Sequence, residues 1–452
     1  MSTKTETLDL GGEPSSAGGG AGLVTLYAPD PSAVPSAVVL PEHALVLGRE
    51  PPPGGLALPF VSVSRVHARL ARRGAAVELE DLESRNGSFV NGSRVERAVL
   101  EHGDELRVGE VVFKLVTARA AAYLDSPLEG RRLDPPLDEL RGGPSMDGVR
   151  NEILRIARAD LSVLVLWETG TGKELVARAL HEASGRPGQL ATVNCAAIPA
   201  TLLESELFGS KRGAFTGADR DRIGIVKSAS GGTLFLDEIG EMPLEAQAKV
   251  LRMIETRQVT PVGSHAAEAV DVRIVCATHR PLPRLVREER FRGDLFARIS
   301  AHTIALPPLR DRKEDVFQLA RFFLERAGAT QLRLSAAFMI GLVSYDWPFN
   351  VRELEAAIKR AVALADDTLD ERHLPTGAAE AMKELRQGAD AAATGEAPAK
   401  ARGGAPSEPA LRSLLVRHGG NVAAVARELG KDRVQVHRWL KRYEISLAEF
   451  RS

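Results

Sequence analysis

Two short segments of this 452-residue chain contain the residue types that phosphate chemistry requires. Residues 167–174 (WETGTGKE) follow an apolar run and open a helical pattern, the context that a phosphate-binding loop needs. Its glycines let backbone N–H groups turn toward phosphate oxygens, and Lys173 supplies positive charge for the β- and γ-phosphates. Residues 234–238 (LFLDE) form an apolar strand that ends in two carboxylates. Asp237 is the candidate Mg²⁺ ligand there, and Glu238 is the candidate group that polarises an attacking water.

These segments predict ATP and Mg²⁺ as cofactors. The predicted nucleotide-binding residues of the loop are Thr169, Gly170, Thr171, Gly172, Lys173 and Glu174. Trp167 departs from the pattern, because a glycine or another very small residue usually permits the tight turn at this position. Two interpretations stay open: either Trp167 points outward and ATP turnover is preserved, or the loop is distorted and nucleotide is bound poorly or not hydrolysed. The intact glycines, lysine and carboxylates favour preserved hydrolysis.

The elements that must position these residues alternate between apolar strands and amphipathic helices from Gly143 to about Leu374. Such alternation predicts a parallel sheet covered by helices. After about Pro308 only helical patterns remain, which predicts an α-helical lid.

Several motifs in this region resemble the AAA+ module of bacterial sigma-54-dependent transcription activators. They are ESELFGSKRGAFTGA (204–218), GGTLFLDEIGEMPL (231–244), FRGDLFARIS (291–300), LPPLRDRKEDV (306–316) and WPFNVRELE (347–355). The resemblance implies an ATPase that assembles from a dimer to a hexamer and remodels the sigma-54 RNA polymerase holoenzyme. It also implies that the GAFTGA loop touches sigma-54, through Gly213, Ala214, Phe215, Thr216, Gly217 and Ala218.

The same resemblance implies roles for single residues. Asn194 matches a switch residue that hydrogen-bonds the catalytic glutamate, and Arg352 matches a lid arginine that senses nucleotide. Arg292 and Arg298 match arginines that reach into the nucleotide site of a neighbouring subunit, where a guanidinium stabilises charge on the transferred phosphoryl group. His279 stands where the family usually has Asn. The predicted catalytic residues are therefore Glu238, Asp237, Asn194, Arg292 and Arg298.

From Leu23 to Val116 the chain consists of short β-type runs separated by Gly, Pro and Asn turns, which predicts a β-sandwich. The segments GRE (48–50), SRVH (64–67), DLESRNGSFVNG (81–92) and HGD (102–104) resemble a forkhead-associated (FHA) domain. The resemblance implies binding of a phosphothreonine-containing protein or a Ser/Thr kinase, and His67 is expected to be structural. The predicted phosphopeptide contacts are Arg49, Ser64, Arg65 and Asn86. An FHA scaffold without phosphate binding is the alternative.

The C-terminal end has a local positive charge, since residues 402–452 hold ten Lys and Arg against five Asp and Glu. Residues 411–446 resemble a Fis-type helix-turn-helix, which implies binding of enhancer DNA. The predicted DNA contacts are Arg433, Gln435, Arg438, Lys441 and Arg442. A plain basic helical hairpin is the alternative.

Composition excludes several other classes of protein. The net charge of −1 excludes a uniformly polycationic nucleic-acid coat, and two cysteines cannot form a disulfide framework. The longest apolar runs are far shorter than a bilayer span, so we expect a cytoplasmic protein without a membrane partner.

The predicted fold is multidomain: an all-β FHA sandwich, an α/β AAA+ P-loop ATPase with an α-helical lid, and an all-α helix-turn-helix. The predicted segments are a tail (1–22), the FHA domain (23–117), a linker (118–140), the α/β subdomain (141–308), the lid (309–375), a linker (376–408) and the helix-turn-helix (409–452). The predicted function is a sigma-54-dependent regulator that senses phosphothreonine, binds enhancer DNA and hydrolyses ATP. The alternative is a phosphopeptide- and DNA-binding regulator whose AAA+ module is a non-hydrolysing scaffold.

Overall fold

The structure is a computed structural model that describes residues 20–74, 76–128, 130–131, 133–166, 168–214, 220–383 and 408–418, with the single positions Val425, Leu440 and Ile445. The chain divides into two units, 1–386 and 387–452, and each is considered by itself. Nine predicted site residues lie outside the described residues: Phe215, Thr216, Gly217, Ala218, Arg433, Gln435, Arg438, Lys441 and Arg442. Trp167, the departure from the loop pattern, also lies outside them.

The first part of the larger unit is an all-β sandwich of two sheets. One sheet has the strand order β2-β1-β11-β10-β7-β8, and the other has the order β4-β3-β5-β6-β9. Alternate residues of β6 and β10 are buried, because successive side chains of a strand point to opposite faces. The strands are β1 (Gly22–Tyr27), β2 (Ala37–Val39), β3 (Leu45–Gly48), β4 (Leu56–Ala57), β5 (Ala68–Arg73), β6 (Ala76–Asp81), β7 (Ser88–Val90), β8 (Ser93–Val95), β9 (Arg97–Leu100), β10 (Glu105–Val108) and β11 (Val111–Val116).

Strands β1 and β11 differ from the rest of the sandwich because all of their residues are buried. They pair antiparallel at the centre of their sheet. One face of this pair contributes Leu23, Phe113 and Leu115 to the core of the sandwich. The other face is covered by helices from a later part of the chain.

The second part of this unit is a five-stranded parallel sheet with the order β13-β16-β19-β12-β20. The predicted parallel sheet is thus confirmed, and β16 and β19 are buried along their whole length, as expected of strands covered on both faces. Its strands are β12 (Val163–Leu166), β13 (Leu190–Asn194), β16 (Thr233–Asp237), β19 (Arg273–Thr278) and β20 (His302–Ala305).

Seven helices surround the sheet or extend its connections. They are α1 (Pro144–Ile156), α2 (Lys173–Ser184), α3 (Ala200–Phe208), α4 (Ile225–Ser228), α5 (Leu244–Thr256), α6 (Leu282–Arg287) and α7 (Gly293–Ile299). Two short antiparallel pairs leave this body: β14 (Gly209–Ser210) with β15 (Arg222–Ile223), and β17 (Gln258–Val259) with β18 (Glu268–Ala269).

The lid follows as α8 (Asp315–Arg326), α9 (Ala336–Ser344) and α10 (Asn350–Leu364). Trp347 is fully buried between α9 and α10 and donates its indole N–H to the Leu342 carbonyl at 2.9 Å. The lid also contains a parallel strand pair, β21 (Arg333–Leu334) with β22 (Thr368–Leu369). The expectation of helical patterns alone was wrong here, because strands of two residues are too short to show a period of two.

In the second unit the structure describes one helix, α11 (Glu408–Arg417). Leu411 and Leu415 are both buried, four residues apart on one helix face. Among the helices in the described part of the chain, none combines the length and the apolar sequence that crossing a bilayer would need.

Candidate functional site

The loop between β12 and α2 has the geometry of a phosphate cradle. Gly170 and Gly172 have φ values of 86° and 106°, in the left-handed region that favours glycine, and α2 begins at Lys173 directly after them. The free N–H groups of a helix N-terminus point toward whatever occupies such a loop. An added Cβ on Gly170 would lie 2.1 Å from the Phe349 carbonyl oxygen, so this position also needs glycine for space.

Lys173 meets both carboxylates that follow β16. Its Nζ lies 2.7 Å from Glu238 Oε1 and also contacts Asp237 Oδ1. The side chains of Lys173 and Asp237 are almost fully buried. The structure therefore brings together the two segments that the sequence singled out, with one positive and two negative groups at the edge of the parallel sheet.

Glu238 is held between two basic groups. His279 Nδ1 lies 2.7 Å from its Oε2, opposite Lys173. Burial opposes ionisation of Glu238, but the hydrogen bonds from Lys173 and His279 outweigh it and hold the pKa of this carboxyl below its usual range. Glu238 is thus a carboxylate at neutral pH, and its φ of 52° fixes its direction at the strand end.

Asn194 does not take the partner that the sequence implied. Its Nδ2 donates to Asp237 Oδ2 at 3.3 Å, and its Oδ1 accepts from the backbone N–H of Ala196 at 2.9 Å. The reason is the register of the sheet: Asn194 pairs with Asp237 across β13 and β16, so its side chain lies beside Asp237 and not beside Glu238. In this structure the side chains that contact Glu238 are Lys173 and His279.

Residues of the lid form hydrogen bonds to the backbone of this loop. Asn350 Nδ2 donates to the Thr169 carbonyl at 3.0 Å, and the backbone N–H of Arg352 donates to the Gly170 carbonyl at 3.1 Å. Arg310 forms a bidentate pair with Glu168, with both distances 2.5 Å. The loop is therefore fixed to the lid by its backbone as well as by an ion pair.

A cleft lies between this loop, the start of the α/β part and the lid. The predicted residues Gly170, Thr171, Gly172, Lys173, Glu174 and Arg352 line it. Its apolar wall comes from Leu140, Met146, Leu319, Phe322 and Phe323. Such a wall beside a phosphate cradle suits an aromatic base.

Neither this wall nor three further arginines that line the cleft were predicted from the sequence; these arginines are Arg141, Arg312 and Arg326. The Arg141 guanidinium lies 4.7 Å from the centre of the Phe322 ring. Arg312 is almost fully buried, and its Nε has no hydrogen-bond partner among the described residues. The only signal was the Phe322–Phe323 pair within α8, which resembles an ordinary core position.

The two predicted arginine fingers lie on the surface around α7. Arg292 pairs with Asp294 at 2.7 Å, and Arg298 lies 3.6 Å from Glu255 with its side chain 61% exposed. Their described contacts are within this surface and not with Lys173 or its carboxylates. Both guanidinium groups are accessible to a second molecule.

Gly213 and Ala214 are the described part of the GAFTGA segment. They follow β14, which pairs antiparallel with β15. Lys211 Nζ lies 2.8 Å from Asp221 Oδ2, and the Arg212 N–H donates to Asp221 Oδ1 at 2.9 Å, so the residues after β14 are bonded to the residue before β15.

The FHA recognition loops bring Arg49, Ser64, Arg65 and Asn86 to one surface. The Arg49 N–H donates to the Ser64 carbonyl at 2.9 Å, so the end of β3 lies against the second loop. Ser64 Oγ accepts from the N–H of Arg85 at 3.0 Å, while Asn86 Nδ2 donates to the Ser62 carbonyl at 2.7 Å. Arg65 and Asn86 are exposed. A guanidinium and a hydroxyl in one place can surround a dianionic phosphate, and the exposed amide of Asn86 is the group predicted to hold the peptide backbone.

His67 lies behind these loops and is fully buried. Its Nδ1 accepts from the Ser64 N–H at 3.0 Å, so Nε2 carries the proton and donates to the Gly87 carbonyl at 3.2 Å. Burial lowers the pKa of His67, which keeps the ring neutral. The ring holds two recognition loops together without facing the surface.

Known families match three regions of the chain. Residues 141–305 match the family described as the Sigma-54 interaction domain, residues 45–109 match the FHA domain, and residues 310–391 match the AAA+ ATPase lid domain. A solved structure of NtrX from Brucella abortus in complex with ADP is similar, with a TM-score of 0.50, 29% identity and coverage of 70% of each chain.

The chain is also similar to curated regulators. It is 39% identical over 356 residues to the transcriptional regulatory protein ZraR of Salmonella typhi, covering 71% of this chain and 77% of the relative. It is 49% identical over 249 residues to the regulatory protein LuxO of Vibrio cholerae, covering 54% of this chain. Against LuxO, ZraR of Klebsiella oxytoca and NorR1 of Cupriavidus necator, the alignment spans 47%, 65% and 61% of the relative, which is less than two thirds of its length.

Proposed function

Because the chain belongs to the family of transcriptional regulators that contain a sigma-54 interaction domain, we propose that it couples ATP hydrolysis to remodelling of the sigma-54 RNA polymerase holoenzyme. The observation that supports this most directly is Lys173 in contact with Asp237 and Glu238 at the edge of the sheet. A lysine beside two carboxylates, below a glycine cradle and a lid arginine, is the arrangement that phosphoryl transfer requires.

The residues of the cleft fit ATP and Mg²⁺ by their chemistry. The loop N–H groups and Lys173 match phosphates, and the apolar wall around Phe322 matches a base. Asp237 supplies an oxygen ligand of the kind that Mg²⁺ prefers, and proteins usually hold Mg²⁺ with one or two carboxylates plus substrate phosphates. When bound, Mg²⁺ would neutralise negative charge on the phosphates.

In this function Glu238 orients the attacking water and accepts its proton. The groups at its two oxygens, Lys173 and His279, keep it ionised and fix its direction. Asn194 positions the neighbouring Asp237, and Arg352 contributes positive charge from the lid. Arg292 and Arg298 act in the cleft of the next subunit of a ring of up to six, so turnover depends on assembly.

The other domains supply the input and the target. The FHA loops bind a phosphothreonine-containing protein or its kinase through Arg49, Ser64, Arg65 and Asn86. The GAFTGA segment 213–218 contacts sigma-54, and the basic end of the chain binds enhancer DNA through Arg433, Gln435, Arg438, Lys441 and Arg442. The first two assignments are supported by residue types and by the matched domains. The DNA-binding assignment is supported by residue types and by the local positive charge of residues 402–452.

The test is steady-state ATP hydrolysis by the full chain across a range of protein concentrations. We expect specific activity to rise with concentration, because the arginine fingers come from a neighbour. Glu238→Gln should lower turnover at least about a hundredfold while nucleotide still binds, because it removes the general base and keeps the shape. Open-complex formation on a sigma-54 promoter should require the same ATP turnover.

Trp167→Gly is measured beside the wild type. Turnover that appears only in Trp167→Gly would contradict the proposal and support the non-hydrolysing scaffold. A wild-type protein that hydrolyses ATP but never opens promoter DNA with sigma-54 holoenzyme would contradict the remodelling step alone.

A further inference from the structure

The sandwich and the lid share one hydrophobic cluster. Leu26, Tyr27 and Val112 of strands β1 and β11 are buried together with residues of α8 and α9. The rings of Tyr27 and Phe317 lie 6.0 Å apart, in a tilted arrangement typical of favourable aromatic pairs. The lid face of the FHA domain is therefore a packed interface and not a loose contact between two domains.

Two ion pairs cross this interface in opposite directions. Lys114 of the sandwich lies 3.1 Å from Glu314 of the lid, and Lys313 of the lid lies 2.6 Å from Glu105 of the sandwich. The four side chains are between 6% and 17% exposed. Lys313 also lies 3.4 Å from Asp346 of the lid, so it keeps one carboxylate partner within its own domain. Lys114, Glu105 and Glu314 form their ion pairs across the interface, and these pairs exist only while the two domains stay together.

The helix that follows these charges also forms the wall of the nucleotide cleft. Phe317 points to the sandwich, whereas Leu319, Phe322, Phe323 and Arg326 line the cleft. Positions 319, 322, 323 and 326 lie on one face of a helix, and position 317 lies on the other. Helix α8 therefore separates the FHA domain from the nucleotide cleft by the width of one helix.

The same two strands that hold the lid also reach the recognition loops. Glu105 and Lys114 are partners in the register of β10 and β11, at the end of the hairpin beside the lid. At the opposite end, the N–H of Glu110 donates to Ser62 Oγ at 3.2 Å. Ser62 in turn accepts, through its carbonyl, the hydrogen bond from Asn86. One hairpin thus contacts the phosphopeptide loops at one end and the lid at the other.

We propose that the FHA domain sets the nucleotide affinity of the AAA+ module by fixing helix α8. The phosphopeptide loops and the ATP cleft are then coupled through the β10–β11 hairpin and through the interface between the sandwich and the lid. In that interface Tyr27, Glu105 and Lys114 of the sandwich lie against Phe317, Lys313 and Glu314 of the lid. The inference rests on the proposed ATP site. A ligand that shifts the hairpin changes the support of α8, and coupling between two sites is reciprocal for binding.

The test reverses charges across the interface in the full chain and measures affinity for N-methylanthraniloyl-ADP by fluorescence. Glu105→Lys places two lysines face to face, and Lys313→Glu places two glutamates face to face. We expect each to weaken nucleotide binding about fivefold or more, the lower range of ordinary coupling. A third variant combines Glu105→Lys and Lys313→Glu. It also carries Asp346→Asn, because Asp346 would otherwise repel the new carboxylate at position 313. This combined variant should restore nucleotide affinity to within about twofold of wild type.

Arg73→Glu is the matched control, since Arg73 pairs with Glu78 at 2.8 Å in the other sheet of the sandwich, away from the lid. It should leave nucleotide affinity unchanged. Unchanged affinity in Glu105→Lys overturns the inference, and so does a loss that the combined variant fails to restore, because that loss would reflect local misfolding. Normal nucleotide binding and normal restoration in a protein that never activates sigma-54 transcription would refute the proposed function and leave this inference intact.

Discussion

His67 determines the shape of the recognition surface although it does not face that surface. Both of its ring nitrogens are engaged, one by Ser64 and one by Gly87, in a site without solvent. Protonation would turn the acceptor nitrogen into a donor facing the N–H of Ser64. The loop geometry therefore requires a neutral ring. The pKa of His67 is lowered mainly by burial, which means that folding favours the neutral form.

We predict that acid weakens the folded state through His67. Because its pKa is lower in the folded chain than the ordinary value of 6.5, the unfolded chain binds the proton first. This contribution to stability is present above about pH 6.5 and is lost as the pH falls through the folded pKa. The free energy of unfolding by urea, measured between pH 7.5 and 5.5, should fall less steeply in His67→Gln than in wild type.

His67→Gln should also cost about 1–3 kcal/mol at pH 7.5, since buried hydrogen bonds change. His43→Gln is the control, because His43 is exposed in the same domain. An identical pH slope in wild type and His67→Gln would contradict the assignment.

Residue types near the nucleotide cleft could be predicted from sequence, but their partners could not. The loop glycines, Lys173, Asp237 and Glu238 stand at positions that motif spacing identifies. Whether Asn194 reaches Asp237 or Glu238 depends on strand register and on a distance of 3.3 Å, neither of which a motif contains. Arg312 could not be identified, because its burial depends on the packing of the lid against the α/β part.

At the scale of elements, the contact between the phosphate loop and the start of α10 is unusually close. The loop backbone accepts hydrogen bonds from Asn350 and Arg352, and Gly170 lies directly against the Phe349 carbonyl. Any side chain at Gly170 would separate the loop from the lid.

We predict that Gly170→Ala lowers nucleotide affinity at least tenfold, because a Cβ 2.1 Å from a backbone oxygen forces the loop and α10 apart. Fluorescent nucleotide titration and thermal unfolding of the purified chain test this. Gly185→Ala is the matched control: Gly185 has a φ of 70°, but nothing lies within 4 Å of an added Cβ. It should cost only about 1 kcal/mol in stability and leave nucleotide affinity intact. Equal affinities of the two variants would refute the role of close approach.

The elements themselves were largely predictable. Apolar runs such as those of β12, β16 and β19 indicated buried parallel strands, and alternation with amphipathic helices indicated the class of fold. The parallel pair of β21 with β22 was not predictable from the sequence. Two-residue strands form because the fold brings these two segments of the lid side by side, and not because of a pattern in their own residues.

At the scale of the whole unit, the sandwich and the lid share one hydrophobic core at their interface. Tyr27 and Val112 belong to the same buried cluster as the lid residues Phe317 and Trp347. We expect this part of the chain to lose structure cooperatively across the domain boundary.

We predict that Phe317→Ala costs about 3–5 kcal/mol and accelerates amide hydrogen exchange in β11 as well as in α8. Phe235→Ala is the control, since Phe235 is equally buried but belongs to the cluster between the parallel sheet, α1 and α2. It should accelerate exchange in the sheet and leave β11 protected. Exchange that changes only within the lid after Phe317→Ala would show that the domains open independently.

The interface between the sandwich and the lid is the feature that could not be predicted from the sequence. Residues 118–140 have the composition of a connector, yet Leu128 and Leu140 are buried, and an added Cβ at Gly130 would meet the side chain of Gln318. The acidic and basic residues of 312–315 resemble a solvated helix start. Only the fold shows that two of them face opposite charges from a segment about 200 positions earlier in the chain.

Each side of the interface contributes one basic and one acidic group, in the pairs Lys313–Glu105 and Lys114–Glu314. This arrangement restricts which domains could replace the sandwich, in evolution or in protein engineering. A domain grafted in place of the sandwich would need an acidic group for Lys313, a basic group for Glu314 and an aromatic ring for Phe317. A replacement domain without these groups would leave Glu314 without its lysine partner and Phe317 without its aromatic neighbour. The chemistry of this interface therefore restricts which N-terminal domains can be joined to this lid.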